Sequence, residues 1–258
     1  MNLEIKDQLF LVGGASGGLG RAIAETLLAE GAKVLAVSRS EDKLQAFQTS
    51  YPDQLEYLAA DLTQSESLPL LLDAIGDRLL SGAVINAGGP PAMPVMQTTL
   101  PDWDEAYRTV VRWKIALTQA LVPKMIEKGY GRMLYIESVT VKQPKENLVL
   151  SNSMRMAVVG YVKTLSQEIA NTGVTLNILG PSFHATERLD NLVRKNSELK
   201  GISEAEVRAS IIQQAKVGFI GRPDDFASLA VWFLSPVSRY ITGQTISVDG
   251  GNVLGSMG

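Results

Sequence analysis

Phe10-Leu11-Val12-Gly13-Gly14-Ala15-Ser16-Gly17-Gly18-Leu19-Gly20-Arg21 runs from an apolar stretch into a glycine-rich turn, and a helical pattern opens at Leu19. The order is strand, tight turn, helix. Glycine lets a backbone approach a ligand closely, because no Cβ stands in the way. The first turn of the helix offers unpaired N–H groups and a partial positive charge. Together they make a seat for a pyrophosphate. The spacing Gly14-x-x-x-Gly18-x-Gly20 departs from the G-x-G-x-x-G pattern, so the strand before and the helix after carry the reading. The same glycines would also suit a plain loop closing a strand–helix unit.

Outward from this turn, strand-like apolar runs alternate with helical periods. Strands are expected at Gln8–Val12, Lys33–Val37, Leu55–Ala59, Gly82–Ile85, Gly131–Ile136, Gly173–Leu179 and Gln244–Val248. Helices are expected at Leu19–Glu30 with Gly31 as C-cap, Glu41–Ser50, Ser67–Leu80 with a break near Gly76, Ser151–Asn171 and Asp224–Leu234. Leu100–Lys128 is helical in period, interrupted by Pro123, and Glu187–Lys216 reads as polar, helical and mobile. No linker, repeat or low-complexity segment divides the chain, so residues 1–258 are read as one domain. This alternation predicts an α/β fold, a Rossmann-type doubly wound parallel sheet. Ligands of such sheets bind beyond the carboxyl ends of the strands. The residues that follow each strand are therefore the informative ones.

Composition narrows the chemistry. A chain of 258 residues buries a full core, and its net charge of −3 with no basic run argues against nucleic acid as an obligate partner. There is no cysteine, which excludes disulfides, thiolate metal sites and thiol nucleophiles. A single histidine, His184, excludes a histidine-cluster metal site and leaves little room for a Ser-His-Asp hydrolase. No apolar run is long enough to span a membrane, and Met1–Lys6 lacks the features of a signal peptide. A cytoplasmic location is the default expectation.

After the second strand comes Ser38-Arg39-Ser40. A fold that prefers NAD places Asp or Glu about 20 residues after the glycine turn, on the ribose 2′-hydroxyl. Ser38 stands there without charge, and the Arg39 guanidinium suits a phosphate dianion, so NADP(H) is expected over NAD(H). An ordinary exposed arginine is the alternative reading of Arg39. After the third strand, Asp61 and Leu62 suit the edge of an adenine, or Asp61 caps a helix. After the fourth, Asn86-Ala87-Gly88 is small enough to pass against a ribose, or is simply a turn.

With these residues in place, the chain resembles the short-chain dehydrogenase/reductase family along almost its whole length. Gly14-x-x-x-Gly18-x-Gly20 resembles the family's cofactor turn, with Gly13 in place of a threonine. Asn86-Ala87-Gly88 matches its structural motif, and Ser138 lies where the family keeps a catalytic serine. Asn177 and Pro181 match the strand-six signature, with Ser182 in place of glycine; Thr186 matches the threonine that touches the cofactor. Gly221-Arg222-Pro223 and Asp249-Gly250-Gly251 resemble the C-terminal signatures. The resemblance implies cofactor contacts from Gly14, Ser16, Gly18, Leu19, Gly20, Pro181, His184 and Thr186, a substrate lid over residues 187–216, and a homotetramer or homodimer.

The departures fall at the family's acid/base set of tyrosine, lysine, serine and asparagine. Thirteen residues on from Ser138 stands Ser151, not tyrosine, and four further on Arg155, not lysine. Aligning Trp103-Asp104 and Pro123-x-Met125 puts Val110 at the asparagine. Ser151-Asn152-x-x-Arg155 thus resembles a divergent branch of the family. A serine is too short and too weak an acid to replace a phenol. Arg155 cannot pass on a proton, but it can bond ribose hydroxyls and hold positive charge near a developing alkoxide. Lys142 borders the site as a substitute acid or as a solvated loop lysine; His184 is expected to give mainly backbone contacts, and Tyr161 to lie in the core. The leading reading is an NADP(H)-dependent oxidoreductase on a carbonyl or hydroxyl substrate, 3-oxoacyl-reductase-like, with Ser138, Arg155, Ser151 and Lys142 as its catalytic candidates. A silent NADP(H)-binding sensor or interaction protein is the second reading. A structural subunit without ligand is the third.

Overall fold

A computed structural model describes residues 1–86 and 88–256 of the chain. Ala87, expected at the ribose, lies outside the described residues. In chain order the strands are β1 (Leu9–Gly13), β2 (Lys33–Ser38), β3 (Leu55–Ala59), β4 (Leu80–Ile85), β5 (Gly131–Ile136), β6 (Val174–Pro181) and β7 (Thr245–Val248). The helices are α1 (Gly18–Ala29), α2 (Glu41–Ser50), α3 (Ser67–Ile75), α4 (Leu100–Tyr107), α5 (Trp113–Lys128), α6 (Val149–Glu168), α7 (Glu187–Lys200), α8 (Glu204–Gln214) and α9 (Pro223–Leu234). All strand pairs are parallel, in the order β3-β2-β1-β4-β5-β6-β7. The doubly wound sheet expected from the alternation is therefore the observed one.

Helices cover both faces, so the central strands read as unbroken apolar runs. Phe10 and Val12 of β1 face one side, where they join α1 residues Ile23 and Leu27 and α9 residues Phe226 and Val231. Leu9 and Leu11 face the other, against Leu71 of α3, Leu117 and Leu121 of α5 and Val158 and Val162 of α6. The period of two along β1 thus feeds two cores. Leu189, Val193, Val207 and Ile211 form a third, small core between α7 and α8.

Several boundaries differ from the sequence reading. α3 stops at Ile75, because Gly76 takes φ 59°, ψ −137°, and Leu80 passes into β4. The C-cap of α1 is Glu30, and Gly31 beyond it holds the left-handed turn at φ 79°. Pro123 does not interrupt α5. Burial of Leu121, Val122 and Met125 around it outweighs a cost of about 3 kcal/mol for an interior proline. The discontinuity lies earlier, in a π-helical turn over Arg108–Arg112 between α4 and α5. The segment expected as one mobile helix is two, divided at Gly201 with φ 62°.

Candidate active site

The glycine turn is built by contacts that no side chain survives. A Cβ on Gly20 would collide with the Gly14 carbonyl, and one on Gly14, at φ 68°, would lie 2.8 Å from Asn86 Nδ2. Asn86 itself donates to the Gly13 carbonyl at 3.3 Å and ties the end of β4 to the end of β1. Ser16 and Ser38 share a hydrogen bond of 2.7 Å, which joins the turn to the end of β2. Arg39 beside it is 80% exposed, with Nη1 4.0 Å from Asp61 Oδ2. Asp61 does not take the helix-capping role. Its Oδ1 accepts from the Thr63 N–H and hydroxyl, so it shapes the turn before α3 and caps no helix. Leu62 packs its side chain against the core on the α3 face. Thr186 stands opposite the glycine turn, its Cγ2 3.4 Å from where a Gly18 Cβ would lie. Gly88 has open space around it.

At the end of β5, Ser138 opens a short turn and accepts the Thr140 N–H at 3.2 Å. The residue before it, Glu137, is buried and held by two cations. Lys114 Nζ donates to Glu137 Oε1, and Arg155 Nη1 donates to Glu137 Oε2 at 2.8 Å. Arg155 Nε then donates to Ser151 Oγ at 3.1 Å. A hydrogen-bonded chain therefore runs from the interior, Lys114–Glu137–Arg155–Ser151, to the cleft. Burial pushes the Lys114 ammonium below its ordinary range, the Glu137 carboxylate opposes that shift, and the Arg155 charge adds to it. A lone buried charge is costly, and here one carboxylate answers two basic groups.

Glu137 and Lys114 were not legible as site residues, although both left a trace. Lys114 interrupts the apolar stripe Val110–Leu117–Leu121, and Glu137 follows the apolar run Met133–Ile136 at the end of β5. The π turn, which contains Val110, sets the helical phase that aims Lys114 at β5.

His184, Lys142, Tyr161 and Pro181 are the remaining candidates. His184 is buried, its ring edge-on to Phe226 at 5.5 Å and its Nδ1 3.4 Å from the Ser182 carbonyl. Burial holds its pKa below the usual value, against the pull of that carbonyl and of Asp225. Lys142 is half-buried at the end of the turn that Ser138 opens. Tyr161 is half-buried at the edge of the core rather than within it. Pro181 ends β6 instead of following it.

Known proteins match the chain over nearly its full length. A family model described as enoyl-(acyl carrier protein) reductase matches residues 14–252. The 3-oxoacyl-[acyl-carrier-protein] reductase of Vibrio cholerae is 32% identical over 253 residues, covering 97% of this chain and 98% of that protein. The corresponding reductase of Escherichia coli is 30% identical over 97% of this chain and 98% of its own. Among solved structures, a putative NAD(P)-dependent gluconate 5-dehydrogenase from Beutenbergia cavernae with bound NADP has TM-score 0.87 and 27% identity, covering 99% of this chain and 100% of that one. The L-sorbose reductase of Gluconobacter frateurii, in complex with NADPH and L-sorbose, has TM-score 0.92 at 22% identity, covering 99% and 100%. NADP(H), the cofactor expected from Arg39, is the one named in both complexes. The glycine turn, the parallel sheet and these matches over nearly the full chain place it in the short-chain dehydrogenase/reductase family of oxidoreductases.

Proposed function

We propose that the protein is an NADP(H)-dependent oxidoreductase that interconverts a carbonyl and an alcohol, with a 3-oxoacyl-reductase-like reaction and an atypical polar end to its active site. The residues present fit the cofactor: Gly14 and Gly20 stand where a Cβ would strike Asn86 and the Gly14 carbonyl, which keeps the turn tight, and Arg39 presents a solvent-facing cation for a 2′-phosphate. Gly14, Ser16, Gly18, Leu19 and Gly20 would hold the diphosphate, Ser38 and Arg39 the adenosine phosphate, and Asn86, Gly88, Arg155, Pro181, His184 and Thr186 the nicotinamide half. When bound, the cofactor supplies or accepts the hydride.

The observation that carries the reading is the doubly held Glu137 immediately before Ser138. It fixes the Arg155 guanidinium at the strand ends, where an alkoxide develops on reduction. A preorganised cation there costs no rearrangement during reaction. Ser138 orients the substrate oxygen. Ser151 holds the other edge of Arg155 and, with Ser138, orders the water that delivers the proton. Lys142 stands at the border of the site as a further candidate. Residues 187–216 act as the substrate lid, and the protein works in the cytoplasm as a homotetramer or homodimer.

A silent NADP(H)-binding protein is the second reading, favoured by Ser151 and Arg155 standing where a phenol and an ammonium belong. NADPH oxidation across a panel of aldehydes and ketones separates the two. The oxidoreductase reading expects turnover of at least one carbonyl; tight NADPH binding with no turnover anywhere in the panel supports the silent protein.

A further inference from the structure

Arg188 lies on the first turn of α7, exposed, with its guanidinium beside Gly89. Its terminal nitrogen and that of Arg155 close on one point beside Gly89. A Cβ built there would lie 2.9 Å from Arg155 Nη2 and 3.7 Å from Arg188 Nη2. Arg155 has committed Nη1 to Glu137 and Nε to Ser151, so Nη2 is the edge it turns to the cleft.

Among the described residues no carboxylate answers this second guanidinium. The two acids nearest to it in sequence are engaged elsewhere: Glu187 bonds Lys43 at 3.0 Å and Asp190 bonds Arg208 at 2.6 Å. Glu137 already serves Lys114 and Arg155 together. Desolvation first, and then the Arg155 charge, push the Arg188 pKa below its ordinary value. Two guanidiniums with free edges on one point make a site for an oxyanion, through charge-assisted bonds.

We propose that Arg155 and Arg188 form an anion site for the carboxylate of the substrate, which is then a free oxo acid or hydroxy acid. The inference rests on the oxidoreductase reading for its carbonyl, and on the arginine pair alone for its anion. The pair sits at the reaction end: Arg155 bonds the residue that precedes Ser138, while the diphosphate seat lies on the glycine turn after β1. A cofactor phosphate is the other source of the same oxyanion chemistry.

Two measurements test this. Malonate is titrated calorimetrically into the protein, and acetoacetate and levulinate are compared with their methyl esters as substrates at saturating NADPH. Wild type binds malonate and prefers the free acids; Arg188→Met lowers both by at least about tenfold, the size of a lost charge-assisted bond, and Arg188→Lys restores much of each. Malonate binding without any turnover upholds the anion site and overturns the oxidoreductase reading. Turnover of esters and acids alike, with no malonate binding, overturns the anion site and leaves the oxidoreductase reading standing. Should Arg188→Met weaken NADPH binding in a fluorescence titration while acid preference persists, the anion is the cofactor's and the substrate assignment is overturned.

Discussion

At the scale of single residues, the site turns on a carboxylate that its own sequence neighbourhood does not explain. Glu137 is buried because Lys114 and Arg155, 23 and 18 positions away, both reach it. Removing its charge strands two cations. Glu137→Gln is expected to cost about 3–5 kcal/mol in urea unfolding, while the joint neutral replacement of Lys114→Met, Glu137→Leu and Arg155→Met recovers much of that and still loses turnover. The glycines and Arg39 were readable from sequence because their task is local, a backbone turn or a charge beside it. Lys114 and Glu137 were not, because each means something only once helix α5 is laid on strand β5. Asp61 shows the converse: its place after a strand suggested a helix cap, but its Oδ1 accepts from Thr63, two residues on, and Glu66 stands at the cap.

At the scale of elements, apolar periodicity located the strands and helices, and the errors came where backbone chemistry overrode it. Gly76 ended α3 early because only glycine tolerates that conformation at little cost. Pro123 failed to break α5 because packing outweighed propensity. The proline still removes a helical hydrogen bond on an exposed face. Pro123→Ala is therefore expected to raise the unfolding free energy by about 1–3 kcal/mol, read from chemical denaturation. The π turn at Arg108–Arg112 left no mark in the sequence period, since one extra residue in a long apolar helix looks like ordinary phase drift.

At the scale of the whole molecule, seven parallel strands bring their carboxyl ends to one crevice, and α7 and α8 stand beside it with a small core of their own. Among the described residues no helix is long and apolar enough to cross a membrane. His184 links this region to the main body through Phe226. Because burial depresses its pKa in the folded state, the unfolded chain takes up the proton first as pH falls. The contribution is present above about pH 6.5 and lost progressively below it. His184→Gln is expected to flatten the acid side of the stability curve between about pH 6.5 and 5, measured by thermal unfolding across that range.

The most direct test of the account is steady-state reduction of a turned-over carbonyl by NADPH, with wild type, Ser138→Ala and Arg155→Ala compared at saturating cofactor. The account predicts that each variant loses about a hundredfold or more in kcat/KM, the scale of a lost oxyanion-stabilising group, while the fold remains intact by circular dichroism. Turnover unchanged in both variants would contradict it.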